Sequence, residues 1–240
     1  MNSPAQSFPP LYGVEHLPAG QVLVVAPHPD DEIIGCGGAL ALHCQRGDAV
    51  HVALVTGGEA AGDADERLAE SRAAARLLGD TQLSCLGAPD GSVAGDARLS
   101  RRLAELVERI EPRVIYAPSP FEMHPDHVAS LVALGHALMG QAPEALLLYE
   151  VNTESMASFL LDITAVAALK RSALERFASQ IGAIDIVEKV AARNRARTAN
   201  VDLPTVTHAE AYLRLRPEQI PDVLRRLHEL AGELGLSRPD

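Results

Sequence analysis

A chain of 240 residues with 21 Lys and Arg against 32 Asp and Glu carries a formal charge of −11, which excludes a general nucleic-acid backbone binder. Hydrophobic residues make up 47% of it, aromatic residues only 3%, and Trp is absent, so its core must be aliphatic: Ala, Val and Leu. One α/β domain over residues 1–240 accounts for that length.

Residues 1–20 are punctuated by Pro and Gly and read as an N-terminal surface wrap. Residues 22–26 (VLVVA) are an apolar, β-branched strand that stops at Pro27 and empties His28, Asp30, Asp31 and Glu32 into a turn. A helix is expected over 34–46, ended by Gly47-Asp48, then a strand over 49–56. A loop rich in Gly, Ala and acids covers 57–65, a helix 66–78 stops at Gly79, and a strand covers 81–86. The turn Ala88-Pro89-Asp90-Gly91 leads to a helix over 97–110 and a strand over 113–117 (RVIYA). A Pro-rich loop then carries His124-Pro125-Asp126-His127 into a helix over 128–139, and residues 146–150 form a fifth strand. Beyond Val151 the pattern changes. A short 161–164 segment precedes long helical stretches over 166–180 and 183–198, residues 208–215 read as a late strand or the start of another element, and 220–234 as a helix.

Strands alternating with helices give βαβ units and a mostly parallel, doubly wound, Rossmann-like sheet. The expected strand order is 3-2-1-4-5, with residues 21–150 as the core and 151–240 as a C-terminal extension of helices and a late strand. Cys36, Cys44 and Cys85, with no C-x-x-C among them, read as reduced thiols of a cytoplasmic protein. The first residues lack the basic and apolar regions of a signal peptide, and no apolar run of about 18 residues predicts a transmembrane span. Arg193, Arg195 and Arg197 mark the place where a local basic patch can form.

In a doubly wound sheet ligands bind beyond the carboxyl ends of the strands, where strand order reverses. Strands 1 and 4 flank that reversal, so His28–Glu32 and His124–His127 converge on one crevice although about 100 residues separate them. Imidazole and carboxylate donors together suit catalytic zinc or non-haem iron. A carboxylate and an imidazole left over after ligation would serve as acid and base, which makes metal-assisted hydrolysis the natural reaction class. Spacing alone leaves open whether Asp30 or Asp31 is the ligand, and whether His124 or His127 is. The bland alternatives are that His28 caps the first helix, that Asp30 and Asp31 are acids favoured by its dipole, and that Asp90 is only a turn residue. Glu32 reads as a supporting acid, and Cys36 as a packing residue. No nucleophile elbow or dinucleotide-binding glycine pattern competes with the metal reading.

The PHPDDE after strand 1 and the HPDH after strand 4 resemble those of the PIG-L/LmbE-like family of zinc-dependent N-deacetylases. Arg67-x-x-Glu70, the Pro89-Asp90-Gly91 turn, Asp162-Ile163-Thr164, Lys170, Ser179-Gln180 and His208–Tyr212 extend the likeness over most of 21–213. The resemblance implies that His28, Asp31 and His127 bind zinc (or ferrous iron), that Asp30 is the general base, and that His124 stabilises the oxyanion or protonates the leaving amine. Arg67 and Asp90 would contact the sugar. Some members of the family carry a Tyr where this chain has Glu122. The implied reaction removes the N-acetyl group from a small 2-acetamido sugar or its conjugate, with no nucleic-acid partner. An amidase acting on a thiol–sugar conjugate, or another C–N hydrolase, and a non-catalytic sugar-binding module are the rival readings. The C-terminal helices would wall the pocket or mediate homo-oligomeric assembly.

Overall fold

The computed structural model describes residues 16–79, 81–181 and 185–233, so most of the expected wrap over 1–20 lies outside the described residues. The elements are β1 (Val22–Ala26), α1 (Asp31–Arg46), β2 (Val50–Leu54), α2 (Ala64–Leu78), β3 (Thr81–Cys85), α3 (Leu99–Ile110), β4 (Val114–Pro118), α4 (Pro125–Ala137), β5 (Ala145–Tyr149), β6 (Phe159–Asp162), α5 (Ala167–Leu174), α6 (Ile186–Ala196), β7 (Ala209–Leu215) and α7 (Ile220–Glu233). They form a sheet of order β3-β2-β1-β4-β5-β7-β6. The first five strands in that order pair in parallel, with β1 between β2 and β4. All five residues of β1 are fully buried. Their alternate side chains enter two cores, Val22, Val24 and Ala26 on the face of α1, α2 and α5, and Leu23 and Val25 on the face of α3, α4 and α7. Burial on both faces is why the strand reads as an unbroken apolar run.

The parallel core follows the expected order, and the C-terminal extension adds two strands where one was expected. β7 enters antiparallel to β5, and β6 closes that edge antiparallel to β7. The helix expected over 166–180 ends at Leu174. Phe177 turns into the core, and Ser179 donates from its backbone N and its hydroxyl to Glu70 at 2.8 and 2.6 Å, which draws the chain across to α2. Nor do the three arginines form a basic patch. Arg193 donates to the carbonyls of Val151, Glu150 and Ile34, Arg195 pairs with Glu188, and Arg197 pairs with Glu150. Among the described residues no helix is long and apolar enough to cross a membrane.

Helix α1 is broken at Cys36 (φ −139°, ψ 20°). A break frees backbone groups inside the protein, and each needs a partner. Glu210 of β7 supplies two, accepting from the N–H of Gly38 at 2.7 Å and of Ala39 at 2.8 Å. Lys170 of α5 donates to the carbonyl of Ile34 at 2.9 Å and to Glu210 at 2.7 Å, and the Tyr212 hydroxyl donates to Glu210 at 2.6 Å. The glycines here are demanded by contact. A Cβ on Gly38 would lie 2.6 Å from Ile163 Cγ2, and one on Gly35 would strike the Tyr149 ring. Removing one member of a buried ion pair costs about 3–5 kcal/mol, because the other is left charged and unpaired. Lys170→Met is therefore expected to lower the unfolding free energy by about that amount, read as a lower urea midpoint, and a further Glu210→Gln change should restore part of it.

Candidate active site

The turn after β1 is held from three sides. The Pro27 carbonyl accepts from the backbone N and the hydroxyl of Thr56, both at 3.0 Å, which ties the turn to the end of β2. Asp30, just before α1, has φ 121°, a region that side-chain-bearing residues rarely occupy. Strain of this kind costs on the order of 1–3 kcal/mol and persists only when its surroundings impose it. Here Asp30 N donates to Glu32 Oε2 at 2.9 Å, and its carbonyl accepts from Ile33 and Ile34 at 2.9 Å. Glu32 is fully buried and takes the Ser71 hydroxyl at 2.8 Å. Burial pushes its carboxyl up to about 7 against those hydrogen bonds. It supports Asp30 and is no ligand.

Asp31 starts α1, and its Oδ2 is the point of convergence. It accepts from the backbone N of His28 at 2.9 Å and lies 3.2 Å from both His28 Nδ1 and His127 Nε2. The far nitrogen of each ring faces another carboxylate. His28 Nε2 is 3.1 Å from Asp90 and 3.5 Å from Asp126, and His127 Nδ1 is 3.4 Å from Glu122. Those carboxylates are pinned in turn. Asp126 accepts from the backbone N of Gly91 and Val93, and Glu122 from those of Val151 and Asn152 at 2.7 and 2.9 Å. His124 caps α4, its Nδ1 accepting from Asp126 N at 3.2 Å. The three imidazole centroids lie 4.7 to 5.3 Å apart.

Asp30, Asp31, Asp90, Asp126 and Glu122 thus crowd around two imidazoles and the Arg67 guanidinium. Burial alone would lower the two imidazoles, but the carboxylates outweigh it and push His28 up to about 10 and His127 up to about 9. Burial works against ionised Asp31 too, yet the two rings hold it well below the usual carboxylate range, whereas burial and the Asp31 charge push Asp30 well above it. A cluster with this many acids and imidazoles has the donor set that could hold a cation. Ligand atoms of His28, His124 and His127 lie within 4.8 Å of one another, as do those of His28, Asp90 and Asp126. His28 Nε2 and His127 Nδ1 are buried without a well-aligned hydrogen bond, each with a carboxylate nearby. A carboxylate behind the far nitrogen is how metal-binding imidazoles are commonly oriented.

The structure brings His28, Asp30, Asp31, His124, His127, Arg67 and Asp90 to one cleft of about 330 Å³. Arg67 sits there as a strut. It is almost fully buried, donates to the carbonyls of Gly58 and Pro29 at 2.9 Å, and reaches Asp30 at 3.4 Å. Asp90 takes the backbone N of Ala60 at 2.8 Å in addition to facing His28. Sequence reasoning missed the parts played by Asp126 and Glu122, and the cleft wall of Ile34, Val151, Asn152, Gln180 and Ile186. Asp126 was signalled by its place inside HPDH and Gln180 by the Ser179-Gln180 match; the other wall residues carry no local signal.

Residues 23–138, which contain both motifs, match the family model described as PIG-L: GlcNAc-PI de-N-acetylase. Those residues form a PIG-L family domain. It is 30% identical over 119 residues to diacetylchitobiose deacetylase of Thermococcus kodakarensis, spanning 45% of each chain, less than half the length of that relative. It is 27% identical over 196 residues to 4-oxalmesaconate hydratase of Pseudomonas putida, covering 68% of this chain and 75% of that one. Among solved structures, the conserved protein TT1542 from Thermus thermophilus superposes with a TM-score of 0.74 at 32% identity, over 82% of this chain and 94% of that one.

A divalent cation held in this cluster is expected to raise the melting temperature, by about 2.7 kcal/mol of stability when the free cation is roughly 100 times its Kd. Chelation should reverse the rise, and His127→Ala should abolish it. Glu122→Gln should retain it but weaken cation affinity about 10–100-fold, measured by competition with a chromogenic chelator.

Proposed function

We propose that the chain is a metal-dependent deacetylase that removes the N-acetyl group from a 2-acetamido sugar or its conjugate. The observation that carries this reading is the junction at Asp31 Oδ2, 3.2 Å from a nitrogen of each of two imidazoles, with the separate carboxylate of Asp30 beside it on the same cleft. His28, Asp31 and His127 would hold one divalent cation, zinc or ferrous iron, which would there supply Lewis acidity toward a water and toward the acetyl oxygen.

Asp30 is the free carboxylate. Its backbone is fixed by the strained turn and its side chain is oriented by Arg67, so it meets the attacking water in one pose and takes its proton. His124 supplies a donor. Its Nδ1 accepts from the Asp126 backbone, and burial together with the neighbouring His28 and His127 lowers its pKa, so the ring is neutral with its proton on Nε2. That N–H is the group available to the oxygen that gains charge as water adds to the acetyl carbon. Glu122, standing where some members of the family carry a Tyr, is committed to His127 and to two backbone N–H groups, so among this chain's own side chains it leaves the oxyanion to His124. The C–N bond then breaks, the amine takes a proton, and acetate and a free amino sugar leave.

A second reading draws on the Pseudomonas putida relative, named as a hydratase: the same residues would add water across a carbon–carbon double bond. Acetate release from N-acetylglucosamine, diacetylchitobiose and N-acetylglucosaminyl conjugates, run beside hydration of an unsaturated polycarboxylate, separates the two. Asp30→Asn is expected to lower kcat about 10²–10⁴-fold with little change in KM, and His124→Ala about 10²–10³-fold. An unchanged kcat in Asp30→Asn would remove Asp30 from the role of base.

A further inference from the structure

We propose that the cleft selects uncharged conjugates, so that its substrate is an amino-sugar amide whose remaining part bears no phosphate or carboxylate. The inference rests on the deacetylase reading for the bond that is cleaved, but the selectivity follows from the cleft itself.

The loops after β1, β2, β3, β4 and β5 build the crevice. No Lys or Arg occurs in residues 1–45, 47–66, 77–97 or 114–169, which hold those loops up to residue 97 and from residue 114 on. The one Lys or Arg among the described lining residues is Arg67, and the imidazoles of His28 and His127 are already faced by carboxylates. Arg67 is occupied with the carbonyls of Gly58 and Pro29 and with Asp30, and its remaining Nε is buried. Turning it toward a ligand would strand buried carbonyls and release Asp30. Arg193 stands behind the wall, bound to the carbonyls of Ile34 and Val151, whose residues line the cleft. Neither guanidinium is free for the bidentate grip by which proteins hold phosphates and carboxylates.

Charge points the same way. Asp30, Asp31 and Asp90 line the cleft, and Asp126 and Glu122 stand behind it. A divalent cation with Arg67 does no more than offset the three lining acids, and the chain as a whole carries −11. An anionic group would leave water to meet no countercharge. What the wall offers instead is the amides of Asn152 and Gln180, suited to hydroxyls, and the apolar surface of Ile34, Val151 and Ile186. That set fits a neutral sugar with an uncharged partner group, and it disfavours the polycarboxylates a hydratase would need.

The test is calorimetric titration of metal-loaded Asp30→Asn protein, slowed in turnover, with methyl 2-acetamido-2-deoxyglucoside, its 6-phosphate, and N-acetylglucosaminyl malate. The neutral glycoside is expected to bind at least about tenfold more tightly than either anion, with the gap narrowing as salt is added. Removing Asp30 also removes one repelling charge, so the comparison favours the anions. Gln180→Arg, which adds a cation to the wall, should narrow the gap further. Anions binding as tightly as the neutral glycoside, or no binding of the neutral glycoside at all, overturns the proposal. The deacetylase reading fails separately: the neutral glycoside would bind, and wild-type protein would release no acetate from it.

Discussion

The carboxylate of Glu210 is the interaction on which the arrangement depends. Its two oxygens meet the N–H groups of Gly38 and Ala39, the hydroxyl of Tyr212 and the ammonium of Lys170. Without them a helix could not break at Cys36 inside the protein, because the freed donors would face only apolar neighbours. The break matters because it separates the first turn, which carries Asp31, from the length of α1 that packs on the sheet. Lys170 and Arg193 then hold the carbonyl of Ile34, the last wall residue of that turn. A buried ion pair is weak evidence for stability, since burial offsets most of the attraction. Its value here is geometric: it fixes where a short turn of helix points.

The same economy recurs around the imidazoles. Each is approached by Asp31 on one side and by a further carboxylate on the other, and each of those carboxylates is anchored to backbone N–H groups of another loop. Glu122 joins the His127 ring to the Val151–Asn152 segment, so an imidazole of the cluster and a stretch of cleft wall share one support. The strained Asp30 belongs to this pattern, since Glu32, Ser71 and Arg67 together hold a conformation that its own preferences oppose. Order of this kind, laid down before a substrate arrives, lowers the reorganisation that chemistry would otherwise require.

Much of this is legible in the residues. The apolar run before His28 and its counterpart before His124 mark both strands, and the switch-point rule brings the two histidine motifs to one crevice. What escapes is the support. Glu210 and Lys170 look like scattered matches, because a helix break and its repair lie 172 residues apart in the case of Gly38 and Glu210. Residues 166–180 carry helical spacing, yet the pull of Glu70 on Ser179 ends the helix early, a tertiary contact that no local pattern reports. Arg67 is picked out by the family resemblance as a sugar contact; it lines the cleft, and what the local sequence does not show is that it also braces two carbonyls and Asp30. The arginines at 193, 195 and 197 look like surface charge, and Arg193 and Arg197 find their partners in other parts of the chain.

The placement of β7 also sets an order of events. Every residue assigned to the chemistry, from His28 to His127, leaves the ribosome before residue 130, together with the strands that carry them. Glu210 and Tyr212 come more than 80 residues later, on a strand that inserts between β5 and β6 rather than adding at an edge. Until they arrive, the turn bearing Asp31 lacks its anchor, however complete the parallel core has become. In the life of a nascent chain the residues of the cleft are therefore encoded first and set in place late, and a chain released early would hold all those groups without the geometry that joins them.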